Sequence, residues 1–107
     1  MMNVSERYRE LVDEVMGFAR SLQGNGEAEP ARSHRQVQEA AAALDEYREL
    51  VGEIPRIKLE AKLTPVLLKS HAQLDRARLL LEEEGAADLA AGVWQLEQKI
   101  YRLLNEL

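Results

Sequence analysis

The sequence predicts an all-α protein, a four-helix bundle or a pair of helical hairpins with a short helical connector, assembling as a dimer. Three observations carry that prediction. First, the two ends of the chain repeat apolar residues at alternating spacings of four and three: Val4, Tyr8, Leu11, Val15, Phe18 and Leu22, then Leu89, Val93, Leu96, Ile100, Leu103 and Leu107. That spacing lines one face of a helix and reads as a coiled-coil-like seam. Second, apolar residues make up 46% of the chain but aromatic ones only 5%, so any core is built from Leu, Ala, Val and Ile, the residues of close helix packing. Third, Gly24-Asn25-Gly26 with Pro30, Gly52 with Pro55, and Gly85 cut the chain into segments of helical length. A chain of 107 residues is long enough for one domain, taken as 1–107.

The first helix is expected over 5–22. Val12 and Ala19 flank its seam, and Glu6 and Asp13 suit its early turns through the helix dipole. Gly17 is an interior glycine, read as tolerated rather than as a site of close approach. Residues 24–32 read as a flexible linker, long for a bundle connection. The second helix, 33–51, starts at a Ser33/Gln36 capping box and presents Val37, Ala40, Ala41, Leu44, Tyr47 and Val51.

Ile54-Pro55 ends that helix, and 56–63 forms the connector. Thr64-Pro65 is a cap followed by a first-position proline, so the third helix is placed at 65–84; one longer helix from Pro55 to Glu84, bent near Pro65, is the alternative. Leu67, Leu74 and Leu81 share one side of it, while Leu68, Ala72, Leu79 and Leu80 spread around it, which calls for a central position or an oligomer interface. The last helix is 88–106, with Asp88 as its cap and no charge on its seam. Up-and-down packing is the expected order.

Chemistry is sparse. The chain has no cysteine, which excludes disulfides and thiolate metal sites. Its two histidines, His34 and His71, belong to no metal motif, and no metal or cofactor is expected. Ser5, Ser21, Ser33 and Ser70 lie in no nucleophile setting, and Glu46, Glu49 and Glu53 read as a solvated face of the second helix. The chain is therefore expected not to be an enzyme. A histidine phosphotransfer domain centred on His71 is the alternative, although Ser70 to Arg76 lacks the lysine–glycine pair those domains carry after the histidine. A purely structural homo-oligomer is the third reading.

Charge gives the better clue. The chain carries a net charge of -5, yet between Arg56 and Arg78 six basic residues stand against Glu60 and Asp75, formally +4. Lys58, Lys62, Lys69 and Arg76 are spaced to form a basic stripe along one helical side. The expected function is a protein–protein interaction module: an adaptor, regulatory subunit or small chaperone that docks an acidic amphipathic helix. Lys62, Lys69 and Arg76 would guide it, and Leu68, Leu79, Trp94 and Tyr101 would contact it, although Trp94 reads more readily as core. In size and composition the chain resembles the small acidic helical chaperones of secretion systems. An acidic chain with a sparse stripe weighs against nucleic acid. No segment is apolar enough to insert in a membrane, the charged amino terminus does not look like a secretory signal, and the expected location is cytoplasmic.

Overall fold

The computed structural model describes residues 3–22 and 31–107. Four α-helices form a bundle: α1 (Val4–Leu22), α2 (Arg32–Asp45), α3 (Arg56–Glu83) and α4 (Ala87–Glu106). A 3-10 turn, Leu50–Glu53, joins α2 to α3. Each helix packs on its neighbour in the chain, and α4 closes the ring on α1. Neighbours run antiparallel, because Tyr8 meets Leu44, Ser33 meets Glu84, and Lys99 meets Glu14. The expected linker 24–32 lies outside the described residues except for Ala31 and Arg32.

The two terminal seams form much of the core. In α1, Val4, Tyr8, Leu11, Val15 and Leu22 are buried together with Val12 and Ala19, while Phe18 is half-buried. Asn3 caps the helix: its side-chain oxygen accepts the Glu6 amide at 2.8 Å, and α1 begins at Val4, one residue earlier than Ser5. In α4, Val93, Leu96, Ile100 and Leu103 are buried, but Leu89 is partly exposed and Ala90 takes its place. Glu97, beside that uncharged seam, joins the buried face as well, so the buried face of α4 holds one carboxyl.

Two boundaries differ from the sequence reading. α2 stops at Asp45, because side chains of α1 engage the carbonyls beyond it: Arg9 Nε donates to Arg48 O at 2.8 Å and Ser5 Oγ to Val51 O at 3.3 Å. Glu46, Glu49 and Glu53 consequently lie on the turn and the 3-10 segment rather than on one helical face. The second difference is that α3 runs unbroken through Pro65, the longer-helix alternative. Leu59 and Leu63 before the proline are in phase with Leu67, Ser70, Leu74, Ala77 and Leu81 after it, so burial of one continuous face holds the helix together.

The expected caps also change. Ser33 sits inside α2, after Ala31, and its hydroxyl donates to the Glu84 carboxylate at 3.1 Å, tying the start of α2 to the end of α3. Asp88 lies in the first turn of α4 rather than at its cap, which is Ala86. Gly85, at φ 79°, makes the left-handed turn that reverses the chain between α3 and α4, a conformation that favours glycine.

Candidate functional site

Helix α3 has two apolar faces, and only one is covered. The buried face faces α2 and α4. On its far side stand Ile57, Ala61, Leu68, Ala72 and Leu79. Ile57 is 89% exposed, Leu68 55% and Leu79 47%. Ile57, Leu68 and Leu79 recur every eleven residues, as do Ala61 and Ala72, and eleven residues close three helical turns with a drift of only about 20°. The five side chains thus form a straight stripe roughly 33 Å long at 1.5 Å per residue. Of these five, Leu68, Ala72 and Leu79 stood out in the sequence as apolar residues away from the main leucine side. The eleven-residue interval was the signal that would have added Ile57 and Ala61.

Lys58, Lys62, Lys69 and Arg76 lie along one flank of that stripe, within about 40° of one another at 100° per residue. All four are exposed. Among the described residues none of them has an acidic partner within salt-bridge distance. Continuity of α3 through Pro65 is what keeps the four in one row. The opposite flank carries Glu60, His71, Arg78 and Glu82 and turns toward α4.

Trp94 and Tyr101 stand two turns apart on α4, 49% and 56% exposed. Trp94 is therefore not a core residue. Its ring is covered on one side by the Arg78 guanidinium, 5.8 Å from the ring centroid, a cation–π contact. Arg78, Glu82, Ala87, Ala90, Ala91 and Trp94 line a surface cavity of about 420 Å³ between α3 and α4. Trp94 borders the α4 side of this groove, Tyr101 stands two turns further along α4, and the leucine stripe crosses the crest of α3. The basic row is on the α2 side, so the structure does not bring the lysines and the aromatics together.

Beneath the groove lies a cluster that sequence reasoning missed. Glu97 is 1% exposed. Its Oε2 is 3.5 Å from Arg78 Nε, and its Oε1 is 3.8 Å from His71 Nε2. Arg78 is engaged elsewhere: Nη2 and Nε donate to Asp75 Oδ1 at 2.8 and 3.2 Å, and Nη1 donates to Glu82 at 2.9 Å. Among the described residues, none donates a hydrogen bond to either oxygen of Glu97. Burial, then the adjoining Asp75 carboxyl, pushes Glu97 up to about 7 against the opposing pull of Arg78. Arg78 holds Asp75 below its ordinary range.

His71, partly exposed, sits at the edge of the packed face, and His34 is half-buried in the first turn of α2. Among the described residues no group of three or more His, Asp or Glu is arranged to hold a metal. No helix among them is long and apolar enough to cross a membrane. Ser33 and Ser70 are buried; Ser5 and Ser21 donate to backbone carbonyls. The chain matches no protein-family model, no curated protein and no solved structure.

Proposed function

We propose that the protein is a non-enzymatic docking module, an adaptor, regulatory subunit or small chaperone, that binds an acidic amphipathic helix along the outer face of α3. The observation that carries this reading is the uncovered stripe of Ile57, Leu68 and Leu79 with an unneutralised basic row beside it. An apolar strip supplies burial energy, and a charged row on one side of it sets which partner fits and in what register. Trp94 and Tyr101 extend the apolar surface toward α4 for a partner wide enough to reach them.

Charge also weighs against a second copy paired through this stripe. Two α3 helices paired antiparallel about a two-fold axis set the same flank against itself, so the basic row would face a basic row. A parallel pair would turn it to the flank of Glu60, Asp75 and Glu82, of which Asp75 and Glu82 already hold Arg78. A foreign helix with free carboxylates answers the row better than either.

The test uses designed helical peptides with leucines at the stripe's spacing and either glutamates or lysines along one flank. The glutamate peptide is expected to bind at least tenfold more tightly, a difference of about 1.4 kcal/mol, with affinity falling as salt rises. Reversing Lys62, Lys69 and Arg76 to glutamate should invert that preference. Leu68→Ala and Leu79→Ala should each weaken binding while leaving the melting temperature unchanged, since both side chains are exposed. Equal binding of the two peptides defeats the reading. So does a concentration-dependent dimer that Leu68→Glu abolishes, which would assign the stripe to a second copy.

A further inference from the structure

We propose that Glu97 is a proton-operated switch in the seam between α3 and α4, its protonation state deciding whether Arg78 stays seated on Asp75 and over the Trp94 ring. The inference holds whether or not a helix docks on α3. It rests first on a mismatch of donors and acceptors. Glu97 is buried with no hydrogen-bond donor on either oxygen among the described residues, beside a carboxylate, Asp75, that takes two bonds from Arg78. A proton on Glu97 resolves the mismatch, because the carboxyl then donates to Asp75 and the buried group is neutral.

Loss of that proton places two carboxylates before one guanidinium that is already shared with Glu82. Arg78 Nε lies 3.2 Å from Asp75 Oδ1 and 3.5 Å from Glu97 Oε2, so a small movement exchanges one partner for the other. A buried charge demands its counter-ion more strongly than a part-exposed one does. Ionised Glu97 therefore draws Arg78 inward, off Asp75 and off the indole.

The groups facing Glu97 are few. From α3 they are His71, Asp75 and Arg78, the last carrying Glu82 on its far side. Glu97's own helix places Val93 and Tyr101 one turn away. The charged residues at the α1 side of α4, Arg7, Glu10, Glu14, Lys99, Arg102 and Glu106, line a separate cleft. Part-exposed His71 offers the proton a route to water. The raised affinity of Glu97 for its proton, described above, puts the switch near neutral pH.

Trp94 is the only tryptophan in the chain and reports the event directly. Its emission is measured across neutral pH in the unsubstituted protein, in Glu97→Gln and in His71→Gln, with far-ultraviolet circular dichroism confirming that each stays folded. The expected result is a single step centred at about 7 that is lost in Glu97→Gln and kept in His71→Gln. A flat profile in the unsubstituted protein overturns the proposal, as does a step that survives Glu97→Gln or one that disappears with His71. A carboxyl carbon-13 titration of the unsubstituted protein needs no variant: a Glu97 midpoint in the ordinary carboxylate range also overturns it.

Discussion

Replacing Glu97 with glutamine removes a buried charge and keeps the shape, so its effect on stability has a defined sign. Unfolded, Glu97 titrates near its ordinary value of 4.5; folded, at about 7. The folded state holds the proton more tightly, so the contribution is complete below 4.5. It is lost as pH rises between those values, and is flat above. Glu97→Gln should match the parent near pH 4 and exceed it at pH 8 by on the order of 1–3 kcal/mol in urea unfolding. Asp75 acts in the opposite sense: Arg78 depresses it, so its contribution is present above the ordinary carboxylate range and fades in acid. Glu97 was legible in principle, since it lies beside the main seam, four residues after Val93 and three before Ile100, on the same side of the seam as Ala90. What the sequence could not show is which row faces α3, because that depends on the angle at which two helices meet.

At the scale of the element, the two glycines in helix interiors predict opposite outcomes. An added Cβ at Gly17 meets nothing within 4 Å among the described residues, so Gly17→Ala should stabilise α1 by about 0.5–1 kcal/mol through helix propensity. At Gly92 the same atom would lie 2.6 Å from the Phe18 ring, across the α1–α4 contact. Gly92→Ala should therefore lower the melting temperature despite its better propensity, as the ring is forced out of place. Pro65, exposed and lacking a donor for the Ala61 carbonyl, weakens α3 locally; Pro65→Ala should raise stability by about 1–3 kcal/mol in the same urea assay. Local signals were read correctly as propensities here, Thr64-Pro65 as a start and Ser33 as a cap, and tertiary packing overruled them. Leu59 and Leu63 carry the buried face across the proline, and Glu84 takes the Ser33 hydroxyl. The end of α2 depended on Arg9, some forty residues distant, which no local pattern contains.

For the whole molecule, the all-helical class and the four segments followed from periodicity and punctuation, because a narrow apolar row on each of four helices has few ways to be hidden other than a bundle. The outward stripe of α3 obscured this, since eleven-residue repeats added leucines to the face the bundle does not use. Charged residues are 31% of the chain and make several cross-helix pairs, and apart from those of buried Glu97 the pairs lie outside the core. Lys99 meets Glu14 at 2.7 Å, Arg7 meets Glu106, and both pairs are partly exposed beside a cleft of about 250 Å³ between α1 and α4. Such pairs contribute about 0–1 kcal/mol each, because water and salt screen them and ordering two long side chains costs entropy. Leu74, fully buried where α3 faces its neighbours, belongs to one apolar cluster that touches all four helices. Lys99→Ala should therefore shift unfolding by less than about 1 kcal/mol. Leu74→Ala should cost about 2–5 kcal/mol, through lost burial and the cavity left behind. Chemical denaturation of the two variants checks both values, and equal losses would mean that α1 is held to α4 by its ion pairs rather than by the shared core.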